Sequence, residues 1–257
     1  MINIAIEDML ATVQKKVQDK VPVSVIRYGD GEAIILNGFK DEAKLVYVSK
    51  RQFGQMLPYD DLKQIQANLV EAYSGADIIG VPVNNRFMED RNSYWYKAYG
   101  ILDEAIGIQT LQTKLLTSID FHLHWLEHKC FEELLTGKKH LCYISCRKLD
   151  HEFKDRFKIE NVWSYLIAPE MKFTSGYKGK KHFPDQFKEI RRWVTKVPVE
   201  DTICLVGAGV AGKIYCNWFR DLGGYAIDIG SVMDSWAGKV TRGENRGLDA
   251  VDETYKL

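Results

Sequence analysis

The apolar positions of this 257-residue chain fall into short continuous runs separated by amphipathic stretches. The runs at residues 21–26, 77–81, 114–117, 140–144, 162–167, 202–206 and 225–229 read as buried strands, because a strand covered on both faces loses its polar alternation. Between them, residues 61–73, 93–106, 125–135, 184–195 and 211–222 repeat apolar side chains at helical spacing. A further helix over residues 2–18, with Ile6, Leu10, Val13 and Val17 on one face, precedes the first strand. Strands alternating with helices predict an α/β fold with a Rossmann-like, mostly parallel sheet of about six or seven strands and helices on both faces. No flexible linker or internal repeat divides residues 1–257, so a single domain is expected.

Charge changes the picture only by exclusion. Lysine plus arginine equals aspartate plus glutamate at 35 each, so no net field draws the chain to nucleic acid or an anionic membrane. Any phosphate must be held by local basic groups. The apolar runs fall far short of the ~20 residues that cross a bilayer, and the N-terminus lacks the basic start and apolar stretch of a signal peptide. A soluble, cytoplasmic protein is expected, with oligomerisation left open. Of the five cysteines, Cys142 and Cys204 lie in strand-like runs, as buried reduced thiols do.

Candidate chemistry gathers where runs end. The first run leads into Arg27-Tyr28-Gly29-Asp30-Gly31-Glu32, which delivers two carboxylates and an arginine to the carboxyl edge of the sheet, where open α/β sheets bind ligands. Two carboxylates one residue apart suit a hard divalent cation. Near the other end, Gly207-Ala208-Gly209-Val210-Ala211-Gly212-Lys213 follows a strand and opens a helix, a place whose free N–H groups suit a phosphate. With Asp228 about 20 residues on, it also fits a dinucleotide fingerprint, and an NAD-linked oxidoreductase is the enzyme alternative. Too little chain follows for a classical dinucleotide domain. The near P-loop reading fails because Ile214 stands where a magnesium-binding hydroxyl belongs. A non-catalytic nucleotide-binding module is the third possibility.

The Arg27–Glu32 signature, the glycine turn and the segment Gly224-Tyr225-Ala226-Ile227-Asp228-Ile229-Gly230 together resemble the GT-D-type glycosyltransferases. The resemblance implies a GT-D-like fold and transfer of a hexose from a nucleotide diphosphate sugar, a UDP-sugar, to a hydroxyl of a glycan or glycoprotein acceptor. It also implies that Asp30 and Glu32 bind manganese or magnesium at the donor diphosphate. Where many relatives carry a histidine after this last segment, the chain reads Ser231-Val232-Met233-Asp234. Asp234 is then the nearest candidate base, unless it caps the terminal helix. The relatives' arginine-bearing strand end is here Ser118-Ile119-Asp120-Phe121-His122, so Asp120 and His122 are acceptor-side or proton-transfer candidates by residue type alone.

Nucleotide contacts are expected from Arg27, Gly29, Ser145, Arg147, Gly207, Gly209 and Asp228, although Arg27 is equally suited to a structural ion pair. His124 and His128 stand four apart but lack a second pair at zinc spacing, so ordinary helix-face histidines are expected. Tyr94, Trp95, Tyr96 and Tyr99 suit a core or a sugar-stacking surface. The basic loop at residues 172–181 suits a solvated surface or a lid.

Overall fold

The computed structural model describes residues 2–38, 40–82, 93–169 and 177–239. Its centre is one sheet of eight parallel strands: β1 (Ile2–Asn3), β2 (Val23–Arg27), β3 (Ile78–Val81), β4 (Leu115–Ser118), β5 (His140–Ser145), β6 (Asn161–Leu166), β7 (Thr202–Gly207) and β8 (Tyr225–Asp228). They lie in the order β1-β4-β3-β2-β8-β7-β5-β6. Seven are the runs expected from the sequence. The eighth, β1, takes the first residues of the segment expected to be all helix, and the helix proper spans Ile6–Gln18.

Alternation within each strand decides which layer it feeds. In β7, Cys204 and Val206 face one layer while Ile203 and Leu205 face the other, and all four are buried. The first layer holds the helices Asp30–Leu36, Glu42–Phe53, Tyr59–Gly75, Tyr94–Ile106, Phe187–Val194 and Ala211–Asp221. The second holds Ile6–Gln18, Phe121–Glu127, Cys130–Leu135, Asp150–Phe157 and Val232–Trp236. At its centre the indole of Trp236 meets the rings of Phe131, Phe153 and Phe157.

Local rules set some of the helix ends. The Asp41 carboxylate accepts from the Lys44 N–H at 3.1 Å and starts Glu42–Phe53, which stops at left-handed Gly54. The Ser93 hydroxyl does the same for Tyr94–Ile106 through the Tyr96 N–H. The stretch at 125–135, expected to be one helix, is two short ones broken at Lys129, whose φ is +57°. Cys142 and Cys204 sit directly opposite each other on β5 and β7 as free thiols, with Sγ atoms 3.3 Å apart.

Topology then places the site. From β5 the chain steps toward the β6 edge and from β7 toward β8, so strand order reverses between them, and ligands of open α/β sheets bind at the carboxyl end of such a reversal. Ser145 and Gly207 end these two strands side by side.

Candidate functional site

β2 ends at Arg27 and its neighbour β8 at Asp228, in a register that pairs Val25 with Ile227. That register sets Asp228 beside Ile26, one residue short of Arg27, and the two side chains meet at the carboxyl edge of the sheet. Arg27 Nη2 donates to Asp228 Oδ1 and Nε faces Oδ2, both at 3.3 Å. Nη1 donates to His122 Nε2 at 3.0 Å. The hydroxyl of buried Tyr73 donates to the Arg27 carbonyl at 2.8 Å. Arg27 is thus an ion-pair partner, and it also lines the cleft described below.

Lys213, in the first turn of Ala211–Asp221, completes a buried network. Its ammonium donates to Gly209 O at 3.0 Å and pairs with Glu32 Oε1 at 2.7 Å and Asp228 Oδ2 at 2.9 Å. Glu32 Oε2 accepts the Gly29 N–H at 3.0 Å, the return half of a capping box on Asp30–Leu36. Two cations face two carboxylates. Burial pulls the Lys213 ammonium down, but Asp228 and Glu32 outweigh it and leave it above the usual lysine value. Burial likewise raises the Asp228 carboxyl, while Arg27 and Lys213 hold it below the usual aspartate value.

Beside this network a cleft opens along the ends of β5, β7 and β8, bounded by Arg27, Ser145, Gly207, Gly209, Gly230 and Asp234. Gln52, Cys146, Ile167, Ala168 and His182 form its other wall. It encloses only about 60 Å³, so a ligand of nucleotide size has to lie along an open groove. Arg147 Nε donates to Asp234 Oδ1 at 2.7 Å at the rim, and the Arg147 N–H donates to Ser145 Oγ at 3.2 Å. Asp234 lies inside the helix Val232–Trp236, whose N-cap position is Ser231. It is therefore not the cap.

The glycine turn differs from expectation. Gly209 has φ +56°, and the Val210 N–H donates to Gln52 Oε1 at 3.2 Å. The Gly212 N–H donates to Gly209 O at 3.1 Å. Two N–H groups expected to be free for a phosphate are thus already committed. Gln52 carried no sequence signal, since a glutamine on an amphipathic helix is unremarkable. His182 was missed for the same reason: it is buried against Tyr215, whose hydroxyl is 2.8 Å from Nε2, and burial pulls the imidazole down to about 4.

Asp30 and Glu32 part company. Asp30 opens its helix with an exposed side chain, whereas Glu32 is buried. No cluster of three or more His, Cys, Asp or Glu suited to a metal occurs among the described residues. The donor chemistry still fits magnesium or manganese, which bind through one or two carboxylates and take further ligands from water and substrate phosphates. Asp30 is exposed, and Glu32 has only the lone pairs that Lys213 and Gly29 leave free.

The other candidates divide. Asp120 is exposed and does not line the cleft, and its carbonyl accepts the first N–H bonds of Phe121–Glu127. Asp228 is fully buried and encircled, so it offers no carboxylate to a ribose, and the NAD-linked alternative loses its acidic residue. His124 and His128 stack with ring centroids 4.0 Å apart. Tyr94 and Tyr96 are exposed, while Trp95 and Tyr99 pack on the core. Half of the 172–181 loop, residues 172–176, lies outside the described residues.

Three solved structures share this architecture. One is a selenomethionine-substituted domain of unknown function 1792 (16% identity, TM-score 0.57, 98% of this chain and 89% of that one). A second is described as the domain of unknown function 1792 with a distinct glycosyltransferase fold (16%, 0.58, 100% and 91%). The third is described as a new glycosyltransferase of that domain type from Streptococcus sanguinis (14%, 0.55, 100% and 94%). At these identities they speak for the fold. No curated protein matches the chain significantly. A family model for the GT-D fold-like domain matches residues 4–236, which span every strand from β2 to β8 and the whole Arg27–Asp228 network, and the chain belongs to that glycosyltransferase family.

Proposed function

We propose that the protein transfers a hexose from a UDP-sugar to a hydroxyl of a glycan or glycoprotein acceptor, with manganese or magnesium as cofactor. The observation that carries this reading is the pairing of the Arg27–Glu32 and Asp228–Gly230 signatures through the Arg27–Asp228 ion pair, beside a cleft whose Asp234 pairs with Arg147. Transfer breaks the bond between the anomeric carbon and the β-phosphate oxygen, and negative charge grows on the departing diphosphate. Preorganised cations at that oxygen lower the barrier. Arg27, braced on Asp228 and His122, supplies one such charge without having to reorganise, and Arg147, braced on Asp234, supplies a second at the rim. Asp234, which lines the cleft, takes the acceptor hydroxyl proton in this reading.

A divalent ion held by Asp30, with Glu32 behind it, would add Lewis-acid neutralisation of the same diphosphate. The test is a screen of UDP-sugars by thermal shift with and without manganese, followed by a product assay on any donor that stabilises the fold. Stabilisation by one UDP-sugar that needs manganese, lost in Asp30→Ala with the fold intact, supports the reading. Indifference of the wild-type protein to every nucleotide sugar refutes it.

A further inference from the structure

Lys213 has no part in the reading above, yet no other side chain at the site touches so many separate segments. Its ammonium donates to the Gly209 carbonyl in the turn that forms one side of the cleft, and it forms ion pairs with Glu32 behind the metal candidate and with Asp228 behind Arg27. Those acceptors come from the helix after β2, the end of β8 and the turn after β7. A buried lysine is retained only where acceptors satisfy it. Three partners drawn from the helix after β2, the end of β8 and the cleft-lining turn after β7 fix the relative positions of these segments.

Charge gives the second strand of the argument. Arg27 and Lys213 together balance Glu32 and Asp228. Removing the ammonium leaves two buried carboxylates to one guanidinium, and the uncompensated charge draws Arg27 inward, away from the cleft it lines.

We propose that Lys213 is a positioning residue for sugar transfer, holding Glu32 toward the metal candidate and keeping Arg27 presented to the donor diphosphate. The inference rests on the transferase reading and adds a residue to it. Lys213 acts through Arg27, Glu32 and the glycine turn, without touching substrate.

The test compares wild type, Lys213→Met and Lys213→Arg in the full chain. Titration with UDP at fixed manganese, and with manganese at fixed UDP, is followed by calorimetry. Lys213→Met is expected to weaken UDP by about tenfold, the lower end of what loss of a partner behind the ligand-binding groups costs, and to shift the manganese midpoint, because Glu32 loses its tether. Lys213→Arg restores the charge and recovers part of the UDP affinity. A folded Lys213→Met with wild-type UDP affinity and manganese midpoint overturns the proposal. Should Lys213→Met fail to fold, Glu32→Gln/Lys213→Met removes one charge of each sign and is compared with Glu32→Gln for UDP affinity alone, since the ties to Asp228 and Gly209 are still lost; equal affinity overturns the proposal. Wild-type protein that binds no UDP overturns the transferase reading itself, and this inference with it.

Discussion

Substituting alanine at Gly230 tests the whole arrangement with a single methyl group. Gly230 has φ +48°, and a Cβ built there stands 2.8 Å from Arg27 Cζ and collides with Nη2. The backbone conformation alone costs alanine about 1–2 kcal/mol. The guanidinium cannot simply swing aside, because Asp228 and His122 hold it from behind. Giving up a charge-assisted bond to a buried carboxylate costs a further ~1.5–3 kcal/mol. A total of about 3–4 kcal/mol lowers the melting midpoint of a chain this size by roughly 10 °C. Gly223→Ala is the control: its φ is +98°, so the backbone is strained, but nothing stands within 4 Å of its Cβ position. Scanning calorimetry measures both variants, and titration with UDP and manganese follows. Gly230→Ala loses stability and UDP affinity together, whereas Gly223→Ala loses stability alone. Gly230→Ala that binds UDP as tightly as wild type refutes the claim that Arg27 faces the donor.

Acid stability reports on His182, whose imidazole is held near 4 in the folded protein against an ordinary 6.5. The unfolded chain takes up the proton first, so stability is full above pH 6.5 and falls by about 3 kcal/mol as pH drops to 4; His182→Asn flattens that slope in urea titrations across the window. Asp228 adds a separate loss in stronger acid, because its carboxyl is held below the usual value and its stabilisation disappears as pH falls through that lowered value. Asp30→Asn leaves the melting midpoint within about 1 °C, as surface substitutions do, while removing any stabilisation by manganese with UDP; unchanged stabilisation speaks against a metal at Asp30. Trp236→Ala opens a hole among Phe131, Phe153 and Phe157, with an expected loss of about 3–5 kcal/mol by chemical denaturation.

The strands were legible because each is a short apolar run buried on both faces, and seven such runs became β2 to β8. β1 escaped because two residues carry no periodicity. The helix Glu42–Phe53 went unrecognised although its cap Asp41 and its stop Gly54 are local signals, and Gln52 was lost with it. At the site, Arg27 and Asp228 were legible as residues but their meeting was not: it depends on β8 lying beside β2, which no local pattern encodes. Lys213 stood inside a motif and was passed over, since a lysine opening a helix ordinarily faces water. Asp120 was chosen by residue type alone, and a turn of chain took it to the surface while His122 turned in to meet Arg27.

The place of β8 in the sheet bears on how the protein is made. Of the strands among the described residues, the last to leave the ribosome slots between β2 and β7, near the middle of the order rather than at an edge. Until residues 225–228 emerge, both flanking strands carry a row of unsatisfied amides and carbonyls, the kind of edge that recruits foreign chains. Newborn protein is therefore without its Arg27 counter-ion and open to aggregation during the same interval. One late insertion closes the sheet and completes the charge network.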